Sequence, residues 1–165
     1  MCFVAHPRTA STATGKVLLT LDFEQMVNHH GFRPEVLNPR WTVFATVRNP
    51  FDLLVSWYWH KQRKQKSFQE WLPIFLKESN EYLDQGLFFG LQHCTHVLRY
   101  ENLQDDFNQV MVEAGFPPTE IPKHNVSVRR DGRSLVEYYD SKLVNLMKAH
   151  FGEEIRQNGY DVPCS

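Results

Sequence analysis

The run Trp41-Thr-Val-Phe-Ala-Thr-Val47 restricts the fold more than any other stretch of the chain. It is almost entirely apolar or β-branched and lacks the strict alternation of a half-exposed strand, so it reads as a strand buried on both faces of a parallel sheet. It ends on Arg48, and a helix start follows at once in Asn49-Pro50-Phe51-Asp52. Asn serves as the cap, Pro takes the first helical position where a missing N–H is harmless, and Asp places a carboxylate in the first turn. The helix then runs through Leu53, Leu54, Trp57 and Tyr58.

A second strand-to-helix passage opens the chain. Residues 2–6 form a short apolar strand, a hydroxyl-rich turn follows, and the chain then enters a helix expected over residues 12–29 with Val17, Leu18, Leu21, Met26 and Val27 on one face. At such a junction several backbone N–H groups converge, the helix dipole adds positive potential, and hydroxyls donate as well, so the turn suits an anion. Thr9, Ser11, Thr12 and Thr14 supply hydroxyls, and Arg8 and Lys16 supply full charges on either side. A simple Ser/Thr helix cap is the plainer alternative.

The remaining pattern alternates in the same way. Ser67 caps a helix over Phe68 to about Lys77, Thr95 to Tyr100 alternates like a strand, and Glu101 to Ala114 reads as a helix stopped by Gly115 and Pro117-Pro118. Leu135 to His150 is the last long helix expected, with Leu143, Leu146 and Met147 inward. Strands alternating with helices predict a single three-layer α/β/α domain over 1–165 with a mainly parallel central sheet, the 2–6 and 41–47 strands adjacent at its centre. Ligands of such sheets bind beyond the carboxyl ends of the strands. Those ends carry the hydroxyl turn, Arg48, and Arg99 or Glu101.

Charge and cysteine usage narrow the function classes. A formal net charge of −1 is unlike that of a globally basic nucleic-acid binder, despite local basic runs at 60–66 and 123–133. Three cysteines without metal spacing indicate neither a disulfide framework nor a zinc site, so a reducing, cytoplasmic setting is the simplest context. No apolar run is long enough to span a membrane.

Two motifs are more specific. Pro7-Arg-Thr-Ala-Ser-Thr12 resembles the 5′-phosphosulfate loop of the sulfotransferases, and Val47-Arg-Asn-Pro-Phe-Asp-Leu-Leu-Val-Ser-Trp-Tyr58 is similar to their 3′-phosphate motif. Val97-Leu-Arg-Tyr-Glu-Asn-Leu103 and the segment from Tyr138-Tyr139 to Gly159-Tyr160 resemble the carbohydrate (Golgi-type and bacterial) branch, so the likeness spans nearly the whole chain. It implies a P-loop nucleotide-binding fold, 3′-phosphoadenosine 5′-phosphosulfate (PAPS) as donor, adenosine 3′,5′-bisphosphate (PAP) as product, a hydroxyl-bearing acceptor and no metal. It also implies that Arg8, Thr9, Ala10, Ser11 and Thr12 hold the phosphosulfate, that Arg48 and Ser56 hold the 3′-phosphate, and, by a looser match, that Arg129 or Arg130 clamps the nucleotide.

Sulfuryl transfer passes through a loose, in-line transition state, so the protein mainly positions the reactants and stabilises charge on the leaving phosphate, while the acceptor needs a general base. The resemblance points to His30 for the base, with His29 next and Glu35 as a carboxylate substitute. Two departures stand in the loop. Arg8 replaces the family's lysine and can stabilise charge but not act as an acid, leaving part of that role to Lys16. Ala10 replaces the usual glycine, which sets a steric demand on the turn. In so short a chain the acceptor pocket is shallow, missing, or borrowed from a second copy, which admits a homo-oligomer. A donor-binding or partner-binding domain without turnover is the non-enzymatic alternative. A nucleotide kinase is the rival enzyme, because Ala10 to Val17 is one residue from a Walker A loop.

Overall fold

In the computed structural model, residues 1–21, 26–28, 34, 37–61, 66–78, 86–122 and 131–163 are described. They fall into two compact units, one of Met1–Arg48 with Phe88–Val126 and the other of Asn49–Leu87 with Ser127–Ser165.

The first unit is a mixed α/β body built on a parallel sheet. Strands β1 (Cys2–Val4), β2 (Met26–Asn28), β3 (Val43–Val47) and β4 (His96–Arg99) lie in the order β2-β1-β3-β4. The 2–6 and 41–47 runs are neighbours at the centre, as expected, with Val4 opposite Ala45, and β3 continues against β4 with Val47 opposite Arg99. The chain passes from β1 to β2 through α1 (Ser11–Leu18), and from β4 through a 3-10 turn, Tyr100–Asn102, into α4 (Leu103–Glu113).

Strand alternation sends the two sets of side chains to opposite faces. Phe3, Ala5, Phe44 and Leu98 join Ala13, Val17 and Leu18 of α1 and Phe107, Val110 and Met111 of α4 in the larger core. Cys2, Val4, Val43 and Ala45 form a smaller one, covered by Leu37, Trp41, Phe89, Leu91 and Cys94.

The second unit is helical: α2 (Pro50–Lys61), α3 (Phe68–Lys77) and α5 (Ser141–Gln157), with a 3-10 turn at Val136–Tyr138. Its helices begin where local chemistry directs. The Asn49 Oδ1 accepts from the Phe51 N–H at 2.9 Å, Ser67 and Glu70 form a reciprocal capping box, and Asp140 accepts from the Leu143 N–H. Its core is aromatic. Phe68 is fully buried among the rings of Tyr58, Trp71, Tyr138 and Tyr139, and the Tyr139 hydroxyl donates to the Phe51 carbonyl at 2.8 Å.

Two expectations need correction. The helix read over 12–29 stops at Leu18, and Met26 and Val27 lie in β2. A short apolar run fits either period, and here hydrogen bonding along β1 decided for the strand. The last helix runs over Ser141–Gln157 rather than 135–150, because Asp140 is the better N-cap and the segment before it takes a 3-10 turn.

Candidate functional site

The turn between β1 and α1 is built on two left-handed residues. Arg8 and Ala10 have φ of 63° and 60°, a region that ordinarily favours glycine. Such a conformation costs on the order of 1–2 kcal/mol for a residue with a Cβ. Internal bonds hold the turn in place. The Thr9 hydroxyl is buried and donates to the His6 carbonyl at 2.9 Å, and Arg48 donates from Nη1 to the Arg8 carbonyl at 2.8 Å.

Ala10 occupies the N-cap of α1 without a side-chain cap. Its carbonyl accepts from Ala13 and Thr14, and among the described residues nothing accepts from the N–H groups of Ser11 and Thr12. Those two donors face the end of the helix where the dipole is positive.

Two cations meet at this turn. Arg48 is 8% exposed at the carboxyl end of β3, and its Cζ lies 4.0 Å over the Tyr100 ring. Burial and then the neighbouring Arg48 charge lower the Arg8 pKa. A multiply charged anion between them relieves that repulsion.

Beside the turn lies a cavity of about 670 Å³. Ala10 and Ala13 form one wall, Tyr100, Leu103, Gln104 and Ile121 line the rest, and Glu101, Asp105 and Glu120 supply carboxylates.

The first unit thus brings Arg8, Thr9, Ala10, Ser11, Thr12 and Arg48 together. Ser11 is buried and Thr12 exposed. Lys16 is exposed in the last turn of α1, a full helical turn beyond Thr12. Ser56 is buried on α2 in the second unit. His29, His30, Glu35, Arg129 and Arg130 lie outside the described residues.

Three participants escaped sequence reasoning. Tyr100 meets Arg48, and strand register is the signal that could have found it. Val47 pairs with Arg99, so the next residues on each strand, Arg48 and Tyr100, fall side by side. The cavity needed the docking of α1 and α4 on one face of the sheet. His6 is fully buried with its ring nitrogens on two carbonyls, and nothing in the sequence around it names those partners.

None of the family models, curated proteins or solved structures compared with the chain matches it.

Proposed function

We propose that the chain is a sulfotransferase that uses PAPS to sulfate a hydroxyl acceptor, a carbohydrate or a small alcohol, on a three-layer P-loop-type fold in the cytoplasm. The observation that carries this reading is the meeting of Arg8 and Arg48 at the left-handed turn that opens α1. Two cations brought together next to two N–H donors suit a ligand with several negative charges.

The residues present fit such a donor. Arg8 with the N–H groups and hydroxyls of Ser11 and Thr12 holds its phosphosulfate and Arg48 its 3′-phosphate, while the motif resemblance alone adds Thr9 to the former, Ser56 to the latter and Arg129 or Arg130 as a clamp. The cavity beside Ala10 and Ala13 has the size and the apolar walls for a purine. Its carboxylates repel phosphate but accept hydrogen bonds from an amino group, so it suits the base rather than the phosphates. When bound, the donor supplies a sulfuryl group joined to a good leaving phosphate. The chain's share is to orient it, to stabilise charge at the leaving oxygen through Arg8, and to take the acceptor proton on His30, with His29 or Glu35 as substitutes.

The kinase reading loses its main support, because Gly15 and Lys16 lie within α1 and the 10–17 stretch does not form a loop. Lys16 in the last turn of that helix favours, as a second reading, a domain that binds the donor without turnover, since Arg8 is then the loop's own cation and cannot donate a proton.

Incubation of PAPS with a panel of glycans and small alcohols should yield PAP and a sulfated product. His30→Ala should slow that reaction at least about tenfold, or ~1.4 kcal/mol of barrier, with PAP binding retained. PAP binding without transfer or hydrolysis of PAPS would favour the non-catalytic domain. ATP turnover with Mg²⁺ would favour the kinase.

A further inference from the structure

His6 follows β1 and immediately precedes the turn. Its ring is fully buried, with Nδ1 3.0 Å from the Thr46 carbonyl and Nε2 2.8 Å from the Phe89 carbonyl. The rings of Phe88 and Phe89 meet it edge-on at centroid distances of 5.7 and 4.9 Å. Ladder pairing between β1 and β3 ends at Val4 and Ala45, and Pro7 has no N–H to extend it. The His6 side chain therefore takes up a β3 carbonyl that the backbone of β1 leaves behind.

Both ring nitrogens face acceptors, and a neutral imidazole carries only one N–H. In the neutral ring one carbonyl is therefore set against a nitrogen lone pair inside a buried site. A single proton taken from solvent completes the second bond and breaks none.

We propose that His6 is a proton-operated latch, which on protonation ties the 87–90 turn and β3 together beneath the Arg8–Ala10 turn. The latch spans three segments. Through its own carbonyl, His6 also accepts from Thr9, so the ring's position reaches the turn directly.

Among the described residues, the titratable or charged groups on the packed segments are these. Arg8 on the following turn and Arg48 beyond β3 are permanent cations. Cys2 on β1 and Cys94 beyond the 3-10 turn Leu91–His93 have thiols that burial pushes up to about 11 and about 12. They stay neutral wherever an imidazole titrates. His93 is exposed, and among the described residues no charged side chain bonds the His6 ring.

Burial outweighs the two carbonyls and lowers the His6 pKa from 6.5. The unfolded chain therefore takes up this proton at a higher pH than the folded one. The contribution of His6 to stability is complete above pH 6.5 and is lost as pH falls toward the folded value. Latching thus adds a local bond while the chain as a whole becomes less stable.

The experiment is a histidine-selective ¹⁵N NMR titration of the full chain without ligand, so its outcome does not depend on the donor reading. The His6 signals are assigned by their loss in His6→Gln. One protonated ring nitrogen at pH 8 and two at low pH, with a midpoint below 6.5 in the folded chain, are expected. The amides of Ala10, Ser11, Phe89 and Gly90 should follow that midpoint, and in His6→Gln they should not. A ring that keeps one tautomer until the chain unfolds would overturn the latch, and so would loop amides indifferent to its titration. If His6→Gln does not fold, assignment through the backbone of the unaltered chain gives the same decision.

Discussion

The two units of this chain treat local rules differently. In the helical unit each helix start has a side-chain cap, Asn49, Ser67 with Glu70, and Asp140, and Phe68 packs against four aromatic rings. In the sheet unit the turn after β1 places two residues with side chains in left-handed backbone, caps α1 with an alanine, and sets two guanidiniums near each other. Natural chains keep such violations where a function requires them, and regular surroundings hold them in place. On the donor reading the strained turn of the sheet unit holds the phosphosulfate, whereas in the helical unit the local choices agree with one another.

Substitutions in the two units test that contrast. The largest effect is expected in the helical unit. Phe68→Ala removes a fully buried ring and should cost about 3–5 kcal/mol in chemical denaturation. A loss under about 1 kcal/mol would mean that the aromatic cluster is not a tight core. Next is the capping box, where Ser67→Ala should cost about 1 kcal/mol, measured in the same way. Smallest, and opposite in sign, is Ala10→Gly. It relieves left-handed strain of about 1–2 kcal/mol, less about 0.4–1 kcal/mol for the freer unfolded chain, for a net gain between about zero and about 1.6 kcal/mol, centred below about 1 kcal/mol. If Ala10→Gly destabilises the chain as Ser67→Ala does, the turn is not strained and the contrast between the units fails.

The sequence made legible what short-range chemistry decides. The β-branched run before Arg48, the Asn49-Pro50 start and the Ser67 cap all stand where their local signals put them. The centre of the sheet followed, because two buried parallel strands leave few other arrangements. Less legible was the stretch after Leu18. Met26 and Val27 keep helical spacing with Val17 and Leu18, and only pairing with β1 reveals them as strand. The candidate site divides in the same way. Arg8, Thr9, Ser11 and Arg48 were visible as motif residues. Tyr100 depended on strand register, and His6 on carbonyls 40 and 83 positions away, which leave no mark in a side-chain pattern.

The measurement that bears most directly on the central claim is the change in melting temperature produced by PAP and by 5′-AMP, for the unaltered chain and for Arg48→Ala. A ligand that binds only the folded state raises its stability by RT ln(1 + L/Kd), where L is the free ligand concentration. PAP should stabilise the unaltered chain much more than 5′-AMP does, and Arg48→Ala should remove most of the difference by deleting a charge-assisted contact of about 1.5–3 kcal/mol. Equal stabilisation by both nucleotides, or a PAP effect that survives Arg48→Ala, would contradict the assignment of this turn and Arg48 to a 3′-phosphorylated donor.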